Sequence, residues 1–464
     1  MTYIRVAVSP FKSHATPSTL GCKRKVTPSA ELSFSKRVFL PFDVRDPGTR
    51  ISNKEVQDLL RSIFSTTWDV GEVRYRSHLL FQVEQLPCGP WPVTVGGLPF
   101  TIASNDGQGR ALMLPRQIHG HANIKICQEG HPDNSKPLIS DAHLRRLAAE
   151  VNTWFEENVP GIRMLELMFT CERTIYIVLE DHVAINVHKN KFPGWIANRF
   201  VGYINNRELH RPEWVDMPAK RVNQPQPNQG VIDNTAYDVL RPGVQINSKS
   251  LRDQADSSVL STTAGVLVEN DAGEAFMTAA SHGIGEDGTV WQGGRADRII
   301  GKAAVEIPFT DISLLKPKKD VAFVYKTFET EAAGPIPKFI RLRTSEDDMP
   351  CGPCYLNSPY TGNMVGALVR KSVRLFKPGP PPRSTQRDVR YVVYDWMHTG
   401  QVEGNDGKVQ PPEGTCGSAV WNDDGVILGF YQHYVSEGPW AGFSALVSAS
   451  AVVDAGYRLA RHPC

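Results

Sequence analysis

GTCGSAVWNDDGVILGF, residues 414–430, sets a cysteine between two glycines, ahead of an apolar run, a charged turn and a second apolar run. Short apolar runs bounded by Asn, Asp and Gly read as strands, which places Cys416 in the turn that leads into the first of them. The same grammar fills everything after about residue 258. TAGVLVEN, EAFMTAAS, ADRIIGKAAVEI, ISLLK, MVGALVRKSVRLF, VRYVVYDW and GFSALV are short β-like runs separated by turn-forming residues. Many short strands imply a sandwich or a barrel. The last stretch, Ala451 to Ala460, has helical spacing and is expected to cap the end of such a barrel.

Upstream the composition changes. Between about 216 and 257 the chain turns to Pro, Asn, Gln and Ser (AKRVNQPQPNQG, RPGVQINSKSLRDQADSS), which buries little and predicts an extended linker. Before it, Val56, Leu59, Leu60, Ile63 and Phe64 share one helical face behind Ser52, a good N-cap. Leu144, Leu147, Ala148, Val151 and Phe155 do the same behind Ser140, with Pro160 and Gly161 as the stop. Each helix precedes β-rich sequence, at 71–84 and 162–180, so two related helix–strand–strand units are expected in an α+β domain over residues 30–215.

The chain has 464 residues, two or three folding units at roughly 150 residues each. Its 51 Lys+Arg and 49 Asp+Glu are mixed along the chain, which disfavours electrostatic binding of nucleic acid or membrane surfaces. With no apolar run of membrane-spanning length and no secretory layout at its start, it reads as soluble and intracellular. The eight cysteines are sparse, so reduced thiols are the expectation.

Three pieces of the second half carry chemistry. MTAASHG ends an apolar strand in His282; FTDISLLK presents Asp311, 29 positions on; EGTCGSAVW presents Cys416, 105 positions further. Acyl transfer needs a nucleophile, an imidazole to hold its proton, and a carboxylate to orient that imidazole and stabilise its cation. The glycines supply a fourth part, because a nucleophile in G-T-C-G can turn the amides of Gly414 and Cys416 toward one developing oxyanion.

These motifs resemble those of the trypsin-like, chymotrypsin-fold peptidases. MTAASHG is similar to that family's T-A-A-H, TDISLLK to its D-I-A-L-L-K, and GTCGSAVWNDDGVILGF to the G-N-S-G-S-P-V nucleophile segment of bacterial glutamyl endopeptidases. The resemblance covers about residues 258–460 and implies a double β-barrel peptidase domain, residues 258–464, acting on a protein or peptide substrate without a cofactor. It puts Cys416 at the nucleophile position, as in picornavirus-type proteases, with His282 as base and Asp311 as orienter. It also implies pocket positions: Gln410, where trypsin keeps an aspartate; Tyr431, where glutamyl endopeptidases have a histidine; and His433 two residues on. Gly429 belongs to the VILGFYQ strand, whose backbone would pair with a substrate. Two departures stand out. Ser281 is an extra residue before the histidine, and Thr415 replaces the aspartate that would pair with a new N-terminus, so activation by propeptide cleavage is not implied.

Several alternatives compete. Asp320, in KKDVAFVYK, begins an apolar strand and rivals Asp311. Ser418 lacks the G-x-S-x-G frame of a nucleophile elbow. Cys351 and Cys354 match the redox motif C-G-P-C but are followed by Pro and Gly where a helix should start, so a turn or an incidental thiol pair is the better reading. His119, His121, Cys127 and His131 are metal-ligand types whose spacing fits no zinc signature, and no metal is expected. A degenerate domain that binds peptides without cutting them is the competing function, and the first half would take a ligand or partner of its own.

Overall fold

The computed structural model describes residues 15–16, 36–38, 40–44, 46, 48–72, 78–87, 91–105, 118–128, 139–171, 174–212, 233–249, 259–295, 297–326, 329–330, 338–348, 352–376, 389–399 and 411–461. The first half is largely β and is built twice over. Its first unit comprises β1 (Lys36–Val38), α1 (Lys54–Arg61), β2 (Thr67–Glu72), β3 (Leu79–Val83), β4 (Pro92–Val95) and β5 (Leu98–Ser104). The second comprises β6 (His121–Ile126), α2 (Asp141–Asn158), β7 (Met164–Thr170), β8 (Ile175–Leu179), β9 (Pro193–Ile196) and β10 (Arg199–Asn205). The sheet orders, β1-β4-β5-β3-β2 and β6-β9-β10-β8-β7, correspond strand for strand. So do the directions: β2·β3 and β7·β8 are antiparallel, as are β4·β5 and β9·β10, whereas β3·β5, β8·β10, β1·β4 and β6·β9 are parallel. Even the tight turns agree. Gly96 and Gly97 (φ 56° and 81°) link β4 to β5, and Ala197 and Asn198 (φ 47° and 58°) link β9 to β10, the pair of positive φ values that a type I′ hairpin requires.

The helices form where the apolar stripes and caps place them. Asn53, one residue after the expected cap, accepts from the Glu55 amide at 3.0 Å. Ser140 accepts from the His143 amide at 3.3 Å and starts α2, which buries Leu144, Leu147, Ala148, Val151 and Phe155 against Leu167, Ile175, Ile177 and Tyr203.

The second half contributes β11 (Gln245–Lys249), β12 (Val259–Thr263), β13 (Leu267–Glu269), β14 (Ala275–Ala280), β15 (Thr289–Gln292), β16 (Ile299–Ile307) and β17 (Ile312–Pro317). It continues with β18 (Gly352–Ser358), β19 (Gly362–Phe376), β20 (Arg390–His398), β21 (Ala419–Trp421), β22 (Val426–Val435), β23 (Phe443–Ser448), α3 (Ser450–Asp454) and β24 (Arg458–Leu459). One sheet runs β12-β11-β15-β16-β17-β14-β13-β24. In the other, β18-β21-β22-β23-β20-β19 returns to its start through the β18·β19 pairing. A shared core lies between them, with Val268, Phe276 and Leu314 from the first sheet against Tyr394, Trp421 and Phe430 from the second.

The two halves are not separate sheets. Strand β7 pairs antiparallel with β19, from Arg370↔Thr170 to Arg374↔Glu166, so the second unit's sheet continues into the second half. Residues 239–249, inside the stretch expected to be linker, form a parallel pair with Ala322–Phe323 and then strand β11. The C-terminal helix is shorter than expected: α3 ends at Asp454, Gly456 takes φ 90°, and Arg458–Leu459 pairs with β13 as a strand. Cys171 is disulfide-bonded, which departs from the expectation of reduced thiols. No described helix is long and apolar enough to cross a membrane.

Candidate active site

His282 emerges where β14 runs into a 3-10 turn, Ser281–Gly283. The extra residue Ser281 is absorbed into that turn. Its amide donates to the Asp311 carbonyl at 2.8 Å, and its buried hydroxyl lies 2.8 Å from that of Ser313. Asp311 occupies the turn between β16 and β17 with φ 58°, a left-handed conformation that costs a non-glycine residue about 1–2 kcal/mol. Thr310 holds this turn by donating to the Ile307 carbonyl at 2.7 Å and accepting from the Ile312 amide at 3.2 Å. The strained aspartate then grips its neighbour twice: Oδ2 accepts from His282 Nδ1 at 2.6 Å, and Oδ1 accepts from the His282 amide at 2.9 Å. Asp320, the rival, is exposed and lies in the turn after β17.

With Nδ1 committed to Asp311, the other ring nitrogen is left for Cys416, which perturbs the imidazole from the turn that leads into β21. Burial by itself would lower the His282 pKa. The charges of Asp311 and Cys416 and their hydrogen bonds outweigh it and raise the pKa well above the ordinary imidazole value. The arrangement therefore favours the imidazolium form of His282 between Asp311 and Cys416.

The cysteine loop is fixed from both sides. The Gly417 amide donates to the Tyr431 carbonyl at 2.9 Å, and Gly414 and Gly417 take φ values of 91° and 85°. A Cβ on Gly414 would lie 2.4 Å from the Tyr360 ring; one on Gly417 would lie 2.7 Å from the Ala280 nitrogen. From β12, Thr262 Oγ1 and the Thr263 amide both donate to the Cys416 carbonyl, at 2.6 and 3.0 Å, and Thr263 Oγ1 donates to the Gly414 carbonyl at 2.7 Å. Among the described residues the Gly414 and Cys416 amides donate to no acceptor, as an oxyanion site requires. The Cys416 thiol itself donates to the Gln432 carbonyl at 2.9 Å. Sequence reasoning missed Thr262, Thr263, Tyr360 and Gln432. Small polar residues inside a β-run carry no local signal of what lies across from them.

The remaining candidates fall elsewhere. Ser418 is fully buried and spends its hydroxyl on the Thr415 carbonyl at 2.6 Å. Gly429 is closed in by the Val447 carbonyl, 2.5 Å from where its Cβ would be. Tyr431 and His433 are buried, 3% and 5% exposed. Burial, with the Arg211 and Arg374 charges, keeps the His433 pKa well below the ordinary imidazole value. Gln410, Cys351 and His131 lie outside the described residues. Cys354 sits within strand β18 instead of a turn, and burial pushes its thiol pKa far up. His119 and His121 flank Gly120 near the start of β6, and the Cys127 thiol is raised to about 12 by burial and by Glu150.

No protein-family model and no curated protein matches the chain. Solved protease structures match about half of it. A Nocardiopsis protease, NAPase, is 12% identical over 48% of this chain and 99% of its own, with a TM-score of 0.30. The chymotrypsin of Cellulomonas bogoriensis is 14% identical over 48% of this chain and 98% of its own, with a TM-score of 0.29. The active form of the Rv3671c protease of M. tuberculosis is 14% identical over 53% of this chain and 85% of its own, with a TM-score of 0.26.

Proposed function

We propose that the chain is a cysteine endopeptidase of the trypsin-like class, with the two sheets of its second half as a double β-barrel. The observation that carries this reading is His282 held by Asp311 at 2.6 Å with Cys416 on its other side. In the proposed reaction the Cys416 thiolate attacks the substrate carbonyl carbon, and the oxyanion is held by the Gly414 and Cys416 amides. The tetrahedral intermediate collapses to a thioester as His282 gives its proton to the departing amine. Water then attacks the thioester, passes a proton back to His282 and releases the acid and the thiolate. Asp311 keeps the ring in one tautomer and stabilises its cation throughout.

A second reading, a peptide-binding module that does not cut, is favoured by one observation: the thiol donates to the Gln432 carbonyl at 2.9 Å, which turns the sulfur toward β22. Incubating the full chain and its Cys416→Ala variant with a complex peptide library separates the two. New peptide termini that appear with the wild type and are lost in the variant support the peptidase. Peptide capture without cleavage by either protein supports the binding module and refutes the first reading.

A further inference from the structure

Strands β14 and β17 lead to His282 and Asp311 at one end; toward the other they line a cavity that the proposed chemistry does not use. The cavity has a volume of about 260 Å³ and lies inside the eight-stranded sheet, walled by Leu267, Met277, Ile300, Leu315 and Phe323, all buried. Protein interiors are packed as closely as organic crystals, and an apolar void of about 150 Å³ is already large enough to take up benzene. With a methylene taken as about the size of a water's share of the liquid, ~30 Å³, the chamber accepts a chain of roughly eight carbons.

Its mouth is charged on one side. The turn that follows β17 brings Lys318 and Lys319 to the rim, both exposed. That turn is pinned by the Lys318 amide donating to the Ile300 carbonyl at 2.9 Å and the Val321 amide donating to the Lys318 carbonyl at 3.1 Å. The one acidic residue on the rim, Glu274, is engaged by Lys316 at 3.1 Å and by Asn270 at 3.0 Å. Among the described residues neither Lys318 nor Lys319 forms an ion pair with a carboxylate. An apolar chamber under two uncommitted cations is complementary to a molecule with an alkyl tail and an anionic head.

We propose that this chamber is a binding site for a medium-chain alkyl carboxylate, tail inside the sheet and head at Lys318 and Lys319. Isothermal titration of the full chain with decanoate, and with decyltrimethylammonium as the oppositely charged probe, tests it. Saturable binding of one decanoate is expected. The double variant Lys318→Glu/Lys319→Glu, altered only at the surface, should melt like the wild type and bind decanoate at least about tenfold more weakly. Alkylating Cys416 should leave binding unchanged, because the cavity lining and the triad share no residue. The proposal is overturned by absence of saturable binding to the folded chain, by equal affinity for the cationic probe, by a double variant that binds as the wild type does, or by loss of binding on Cys416 alkylation, which would place the ligand at the triad.

Discussion

Replacing Asp311 with asparagine removes a charge from beside His282 while nearly keeping the shape. The asparagine oxygen can still accept the His282 amide in place of the 2.9 Å bond, but its NH2 would face Nδ1 where Oδ2 now stands at 2.6 Å, and it cannot accept the ring proton. The imidazole is driven to the tautomer with its proton on the nitrogen facing Cys416. Opposite charges 4 Å apart are worth about 4 kcal/mol at an effective dielectric constant near 20. Observed pairs of this kind move a pKa by about 1–3 units, or about 1.4–4 kcal/mol. The two side chains are only 17% and 15% exposed, so solvent does not screen the term away. Asp311 raises the His282 pKa, so wild-type imidazolium survives to higher pH, and the variant loses it earlier as pH rises. The assay is the rate of Cys416 alkylation by iodoacetamide as a function of pH, followed by mass spectrometry, which requires no substrate. Near pH ~6.5 the variant should react at least about tenfold more slowly, rejoining the wild type above about pH 9, where a free thiol ionises unaided. Superimposable profiles would refute the assignment of Asp311 as the partner that charges His282.

Gly414→Ala forces a Cβ onto the Tyr360 ring at a φ of 91° and should displace the amide offered to the oxyanion. Peptide cleavage should fall by about 100-fold or more, while iodoacetamide alkylation, which needs no oxyanion site, changes by less than about threefold. A stability prediction concerns Asp141, where α2 meets the second half. It takes hydrogen bonds from Lys371 and, at 2.5 Å, from both Ser448 and Ser450, with Arg343 at 3.5 Å, all fully or almost fully buried. Burial alone would raise its pKa, but Arg343 and Lys371 prevail and hold it well below the carboxylate range. Asp141→Asn should cost about 3–5 kcal/mol in urea unfolding at neutral pH. Because the folded pKa is depressed, the wild type keeps this contribution above about pH 4 and loses it as pH falls further, so the variant's deficit should shrink in acid. Deleting residues 1–215 should leave residues 216–464 poorly folded, since it strips β7 from β19 and leaves Lys371 and Arg343 without Asp141; a soluble fragment melting like the full chain would contradict the shared sheet.

What the sequence makes legible follows from how local each signal is. Helices α1 and α2 are written in stripes and caps that neighbouring residues suffice to define. The order of His282, Asp311 and Cys416 is visible because each lies in a short motif with its own turn chemistry. That Asp311 and not Asp320 meets the histidine depends on a turn with φ 58°, which residue type does not announce. The likeness of the two units is faint in side chains yet complete in strand order, because a sheet constrains direction and burial more tightly than identity. The pairing of β7 with β19 joins residues about 200 positions apart, and nothing in either strand names its partner. Separations of 154 and 151 positions likewise hide Thr262 and Thr263 from the cysteine loop that they clamp.

The account stands most directly on one chemical test: treating the full chain with a peptide vinyl sulfone and locating the adduct by mass spectrometry, in the wild type and in His282→Ala. One adduct per chain at Cys416, formed rapidly and suppressed in the variant, is the predicted result. Slow labelling spread over the accessible thiols, unaffected by loss of the imidazole, would contradict it.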